Sequence, residues 1–377
     1  MRIAVLAHSL RHGGGLSVGR NMLAALARVA PREQYLLLQP AGLGYEEISG
    51  FAAAESIFHR QRTYPERWAF DHLRLPGLVK RFRPDVILAL NGRGLLRPPC
   101  PQIAFPQHPH LLYPTRHYGP VLPWYHLGMV FRRRFMRRQL RVTQALMVQT
   151  AVVERRFREH YGYAGRTIRC ATGVSPELLE SAQRAHSPPA YESLRGKLKL
   201  LYPTRYYPHK NIEGLVRVFD RFRRELVGVV LILTLRPNEH PRCPALFRSI
   251  RRLRLEDRVV NVGPIPFDQM AAYYRFSDAL CMPTLLETFG LPYVEAMALE
   301  LSILTSDLDF AREVCGDAAA YFDPWNPEAI RDAIIAFRDD TGLRERLRAA
   351  GRQQHQRGFS SWDDIALSVI DCCHQLA

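Results

Sequence analysis

Along this chain, short uninterrupted apolar runs alternate with longer stretches in which apolar residues recur every three or four positions. The runs of the first half are RIAVLAH, QYLLLQ, PDVILALN, PQIAFPQ, ALMVQT and TIRCATG; those of the second are LKLLYPT, GVVLILTL, RVVNVG, DALCMPT, LSILTSD and AAAYFD. Runs of this length, apolar at successive positions, predict strands buried on both faces. The three-to-four spacing between them predicts helices near 16–30, 66–82 and 151–160, then near 211–226, 244–253, 267–275, 292–299, 308–314 and 327–337. WDDIALSVIDCCHQL, close to the last residue, has the spacing of an amphipathic helix that packs on one of the domains. Alternation of buried strands with helices means an α/β, parallel, doubly wound sheet, and here it happens twice.

A chain of 377 residues exceeds one ordinary hydrophobic core, so two domains are expected. The polar, proline-bearing stretch SAQRAHSPPAYESLRGK, 181–197, suits a linker. The division predicted is a Rossmann-like domain over 1–182, a linker over 183–197, a second Rossmann-like domain over 198–360 and a C-terminal helix over 361–377. Two such domains facing each other would form a central cleft from the carboxyl ends of their strands, where open α/β sheets bind ligands.

Composition narrows the partners. With 52 basic and 36 acidic residues the formal charge is +16, which favours phosphate-bearing metabolites, nucleic acid or anionic membrane. FRRRFMRRQLR, 131–141, is dense in arginine, holds no acid and reads either as a basic amphipathic surface helix or as a solvated face. No helix-turn-helix, zinc or RNP pattern supports nucleic acid. Seven cysteines without CxxC spacing fit reduced thiols and argue against a zinc site. No apolar run is long enough to span a bilayer, and MRIAVLAHS is too short for a signal peptide, so a cytoplasmic protein is expected, with a peripheral seat at the inner face of a membrane as a candidate.

Three segments follow strands and open helices. In HSLRHGGGLSVGR, 8–20, Gly14 and Gly15 allow a ligand close to the backbone, although the pattern is not that of a nicotinamide site. LLYPTRYYPHKN, 200–211, sets Arg205 and Lys210 at the end of a strand before a helix that Asn211 is expected to cap; the pair reads as a diphosphate clamp or as two solvated cations. ETFGLPYVEAM, 287–297, holds Glu287 and Glu295 around a turn at Gly290. Its backbone N–H groups at 289–291 open a helix toward negative charge. Glu295, read as lying in the first helical turn, could accept both hydroxyls of a ribose. The same two glutamates also fit ordinary helix charges.

ETFGLPYVEAM resembles the E-x7-E signature of retaining GT-B glycosyltransferases, in particular family 4 (glycosyl transferases group 1). MPTLLETFGLPYVEAMA, ILTSD and EVCGDAAAYFDPWNPEAI resemble that family's C-terminal block, YPTRYYPHKN its phosphate-binding block and ATGVSPELL the segment ending its N-terminal domain. The resemblance is strong over 198–337 and thinner before it. It implies that the first domain binds acceptor and the second a nucleotide-diphosphate sugar, GDP- or UDP-linked. Arg205 and Lys210 would contact the diphosphate, Glu295 the ribose and Glu287 the donor sugar, with Phe289, Gly290 and Leu291 around it. Gly14 and Gly15 would close over phosphate and sugar. FPQHPH, 105–110, stands where members often have a functional histidine, and His108 is favoured over His110 because it lies nearer the strand. No metal and no separate cofactor are expected, since the cations and helix starts can stabilise the leaving group.

The implied activity is transfer of a hexosyl group, with a lean toward mannosyl, to a glycan or lipid-linked saccharide in cell-surface polysaccharide or lipopolysaccharide synthesis. A sugar-nucleotide-binding GT-B protein of other, epimerase-like activity and a non-enzymatic anion- or nucleic-acid-binding protein are the alternatives. One departure from the family pattern stands out: Glu300 occupies a position usually held by glycine.

Overall fold

The computed structural model describes residues 1–60, 63–121 and 123–377. The chain forms two compact units, one of residues 1–112, 124–172 and 360–377, the other of residues 113–123 and 173–359.

The first unit holds a parallel sheet of β1 (Arg2–Leu6), β2 (Gln34–Pro40), β3 (Ala53–His59), β4 (Val86–Ala89), β5 (Gln102–Ala104), β6 (Ala145–Val148) and β7 (Arg166–Arg169), in the spatial order β3-β2-β1-β4-β5-β6-β7. Its helices are α1 (Gly13–Val29), α2 (Tyr64–Ala69), α3 (Leu75–Phe82), α4 (Pro123–Leu140) and α5 (Ala151–Tyr161), with a π-helical turn, Phe70–Arg74, joining α2 to α3. The apolar runs form the strands because every residue of β4 and β6 is buried, which leaves no position for a polar side chain.

The second unit repeats the arrangement with β8 (Leu198–Tyr202), β9 (Val229–Leu233), β10 (Val259–Asn261), β11 (Ala279–Met282), β12 (Ser302–Ser306) and β13 (Ala319–Phe322), ordered β10-β9-β8-β11-β12-β13 and parallel throughout. Its helices are α6 (Pro176–Gln183), α7 (Ile212–Arg221), α8 (Cys243–Arg252), α9 (Phe267–Arg275), α10 (Leu291–Ala298), α11 (Asp309–Cys315), α12 (Pro327–Asp339) and α13 (Thr341–Gly358). The last helix, α14 (Trp362–Leu376), belongs to the first unit. A Ser361–Asp364 capping box starts it, and Trp362, Ile365, Val369 and Ile370 join the core formed by α1 and β1.

The stretch 183–197, expected to be a linker, is built into the second unit. Tyr191 and Leu194 are its anchors: both are buried, and the Tyr191 hydroxyl lies 2.8 Å from Ser277 Oγ. Two apolar side chains in a polar segment suffice to dock it, and the division between units falls at 172/173 instead. Residues 113–121, from the middle of the first-half sequence, also belong to the second unit; Tyr113 donates to Asp309 Oδ1 at 3.1 Å and His117 Nδ1 meets Leu285 O at 2.8 Å.

Glu300 stands where the resemblance led to the expectation of a glycine. It follows α10 with φ +57°, in the left-handed region, and offsets part of that strain through an exposed ion pair with Arg352 at 2.9 Å. Left-handed backbone at a non-glycine residue costs on the order of 1 kcal/mol, while an exposed pair contributes about 0–1 kcal/mol. Glu300→Gly is therefore expected to raise unfolding stability by up to about 1 kcal/mol, read as a higher urea midpoint with unchanged slope; a fall in midpoint would mean the ion pair outweighs the strain.

Candidate functional site

In the second unit β8 has β9 on one side and β11 on the other, so the connections from β8 and β11 leave the sheet in opposite directions. Such a switch point opens a crevice at the carboxyl ends of the two strands. Its walls are the loops 203–211 and 283–290. They are stitched to each other, since Leu285 N donates to His209 O at 2.8 Å and Thr284 Oγ to the same carbonyl at 3.3 Å.

Lys210 ends a short 3-10 turn, Pro208–Lys210, and its carbonyl accepts from the buried Tyr202 hydroxyl at 2.8 Å. Its ammonium forms a short ion pair with Glu287 Oε1, across the two loops, with the side chains only 15% and 14% exposed. Arg205 sits on the same loop. Its Nε pairs with Glu239 Oε2 at 3.2 Å, and Glu239 also accepts from Tyr206 N at 2.6 Å. Glu239 is nearly buried at 5%, whereas Arg205 keeps 39% of its side chain exposed. One edge of the guanidinium is thus held and the other faces outward. Glu239 went unread in the sequence, although it is the single acidic residue between Glu225 and Glu256, in the loop that follows β9. A lone carboxylate among arginines at a strand end was the available signal.

Gly290 has φ +85° and immediately precedes α10; a Cβ there would stand 2.6 Å from the Tyr293 ring. Only glycine fits both conditions, and the tight turn it makes brings the helix start to the crevice. Among the described residues the backbone N–H groups of Phe289, Gly290 and Leu291 have no hydrogen-bond partner, as a helix start aimed at an anion would have. The Phe289 side chain points the other way, buried against Phe359 with ring centroids 6.0 Å apart. Its contribution to the site is its backbone.

Glu295 differs from expectation. It lies in the second turn of α10, at the fifth position, and its Oε2 accepts from the buried Tyr274 hydroxyl of α9 at 2.5 Å. Burial pushes its carboxyl above the usual range, an effect the Tyr274 hydrogen bond opposes in part. Pro292 accounts for the shift in register, because it occupies the first turn and leaves no acid there. Asn211 does not cap α7 with its side chain: the residue is left-handed at φ +54°, and its Nδ2 donates to Pro324 O at 2.9 Å.

The structure thus brings Arg205, Lys210, Glu287, Gly290, Leu291 and Glu295 to adjoining loops and one helix of the second unit. Gly14, Gly15 and His108 belong to the first. The glycines do not form a free loop; with Gly13 they make the first turn of α1, whose opening turn holds no acid. His108 follows β5. Its Nε2 lies 3.3 Å from Arg132 Nη1, its Nδ1 is buried without a hydrogen bond and His110 stands at 5.1 Å, centroid to centroid. Burial first, then His110 and Arg132, hold its pKa down at about 3, so at neutral pH the ring is uncharged and accepts from arginine. In the same unit, at the end of β1, is a pair the sequence reading passed over: His8, fully buried, bonded to Asp71 Oδ1 of the π-helical turn at 2.7 Å. A histidine next to an apolar strand gave no hint of a partner more than sixty residues away.

Two parallel-sheet, doubly wound α/β units define the GT-B architecture, and solved structures of that class align over the full chain. Sucrose-phosphate synthase from Thermosynechococcus elongatus superposes with a TM-score of 0.76 at 17% identity, covering 100% of this chain and 99% of that one. Anabaena HepE, solved with UDP and glucose, gives 0.71 at 15% identity over 100% of both chains. Residues 184–354, which contain Arg205, Lys210, Glu239, Tyr274, Glu287, Gly290 and Glu295, match the family described as Glycosyl transferases group 1. Among curated relatives, the O-antigen chain mannosyltransferase B of Escherichia coli is 28% identical over 173 residues, 45% of this chain and 44% of that protein. The chain therefore matches less than half the length of that relative.

Proposed function

We propose that the protein is a retaining glycosyltransferase that moves a hexosyl group, mannosyl by preference, from a GDP- or UDP-linked sugar to a glycan or lipid-linked saccharide of the cell surface. The observation that carries this reading is the Lys210–Glu287 pair, set across the two switch-point loops beside the unbonded N–H groups of 289–291. A nucleotide-diphosphate sugar needs cationic charge and helix-start N–H groups for its phosphates and carboxylates for its hydroxyls, and this crevice supplies both within one unit. The mannosyl preference follows the E. coli relative, and the nucleotide follows HepE, which was solved with UDP.

In the reaction, the bond from the anomeric carbon to the diphosphate breaks while the acceptor oxygen bonds to that carbon on the same face, and the acceptor proton passes to the departing phosphate. Negative charge grows on the leaving group. Lys210, Arg205 and the start of α10 stabilise it, and Glu287 holds the donor sugar instead of attacking it. Glu295 accepts from the ribose hydroxyls, and the turn at Gly290 keeps the three parts together. Arg205 is the clamp's adjustable member, since Glu239 holds one edge and leaves the other free.

The test is a thermal-shift screen of the purified protein against UDP, GDP, ADP and their hexose conjugates, followed by a radiolabel transfer assay with the stabilising donor. A ligand bound only by the native state at a hundred times its Kd adds about 2.7 kcal/mol of stability. One nucleotide is expected to raise the Tm by several degrees. No shift with any of them would remove the reading.

A further inference from the structure

We infer that the first unit carries a docking face for anionic lipid bilayer, formed by α4 together with the α2 to π-helix segment. The sequence pointed to 131–141, but the helix begins eight residues earlier, and its outer face has two parts. Trp124, Leu127, Val130 and Phe131 are 69%, 60%, 61% and 65% exposed. Arg134, Arg137, Arg138 and Arg141 continue the same exposed side. Positions 124, 127, 131, 134, 138 and 141 follow the three-and-four spacing of one helical stripe, so the apolar part, about 10 Å long, runs straight into the cationic part.

The neighbouring segment extends the apolar part. Trp68 is 56% and Leu73 70% exposed, and His72 between them stands 5.0 Å from Trp68 and 6.2 Å from Phe135 of α4, ring to ring. Among the described residues these two segments hold six of the fifteen large apolar side chains left exposed, in fewer than a tenth of the positions. Scattered exposed apolar residues are ordinary, but a cluster with two tryptophans beside an arginine row is not.

The charge identifies the occupant. The stretch 123–141 contains six arginines and no acid, and the exposed acid of the neighbouring segment, Glu66, is engaged in its own capping box with Thr63, so a two-fold contact between copies would set the same arginine row close to itself with little to offset it. A bilayer interface bearing anionic headgroups meets both halves: tryptophan, leucine and phenylalanine enter the headgroup boundary while the arginines stay with the phosphates. Among the described residues no helix is long and apolar enough to cross a membrane, and this face lies on the surface instead. The inference deepens the lipid-linked acceptor of the proposed function and rests on that reading for its purpose; vesicle binding itself is measured without donor or acceptor.

The experiment is co-sedimentation of the full-length protein with vesicles of phosphatidylcholine alone or containing phosphatidylglycerol, at low and high salt. Wild type is expected to pellet with the anionic vesicles and to be released only in part by high salt. Arg134→Gln/Arg137→Gln/Arg138→Gln is expected to lower partitioning roughly a hundredfold, since each arginine near an anionic surface is worth about a factor of five. Trp124→Ser/Leu127→Ser/Phe131→Ser is expected to abolish the salt-resistant fraction. All six positions are outside the nucleotide crevice, so a retained nucleotide thermal shift in both variants shows them folded and separates this face from the site. Wild type remaining in the supernatant, or either variant pelleting like wild type, would overturn the inference. A dimer in analytical ultracentrifugation that the serine variant converts to monomer would assign the face to a second copy of the chain instead.

Discussion

Lys210→Ala is expected to lower the rate of transfer by roughly 10²–10³-fold, the loss that follows removal of one preorganised group from a developing negative charge. The ammonium is 15% exposed, so water screens it little, and its partner fixes its direction. The same substitution strands Glu287, 14% exposed, without its cation. Breaking a mostly buried pair from one side costs more than the pair contributes, about 1–3 kcal/mol here, because the remaining charge keeps its desolvation penalty. A loss of activity in the single variant therefore has two explanations, and the double variant Lys210→Met/Glu287→Gln separates them. Both charges go, the volumes stay, and stability measured by urea unfolding is expected to return close to wild type. Transfer is expected to stay lost. Recovery of transfer together with stability would reduce the pair to a brace between loops 203–211 and 283–290 and take Lys210 out of the reaction.

The legibility of this chain tracks how much of each element is buried. Strands β4, β6, β9, β11 and β12 are buried at every position and stand out as apolar runs. β3 escaped notice because it is the sheet edge, exposed over its first four residues, and its AAESIFH has no such run. α13 escaped for a related reason: of its eighteen residues only Leu347 and Gly351 are buried, too thin a stripe to give a helical period. The loop placement of Arg205, Lys210, Glu287 and Gly290 was readable because loop position after a strand and glycine-to-proline spacing are local properties. Glu239 and Tyr274 were not, since each reaches the site from a different element and is recognised only by what it touches. Glu300 shows a local departure with a local answer, a left-handed residue where the backbone asks for glycine.

The linker misreading has the same root. Polarity and prolines over 181–197 describe average composition, whereas docking depends on two residues, Tyr191 and Leu194, whose burial no composition count reveals.

Glu295→Gln is expected to make the free protein more stable and the nucleotide response weaker. Burial raises the carboxyl's folded-state pKa above its unfolded value, so the folded state binds the proton more tightly than the unfolded chain. The stability this contributes is complete below the unfolded carboxylate pKa of about 4.3 and is lost as pH rises through the folded value. Above that folded value the ionised Glu295 therefore works against the fold, with the Tyr274 hydroxyl as a compensating donor. Glutamine has nearly the same shape, still accepts from Tyr274 and carries no charge. Each kcal/mol released in a unit of this size should raise the Tm by about 2–4 °C. That gain is expected above the folded pKa and should shrink as pH falls through it, where wild-type Glu295 takes up its proton. The opposite holds with ligand. Ribose hydroxyls hydrogen-bond more strongly to a carboxylate than to an amide, so the nucleotide-induced shift of the variant should be smaller than that of wild type. A residue that destabilises the apo state and strengthens the bound one is retained for the ligand. If the Gln variant is less stable at pH 7, or its nucleotide shift equals that of wild type, Glu295 is an ordinary helix residue whose buried partner happens to be a tyrosine, and the ribose assignment falls.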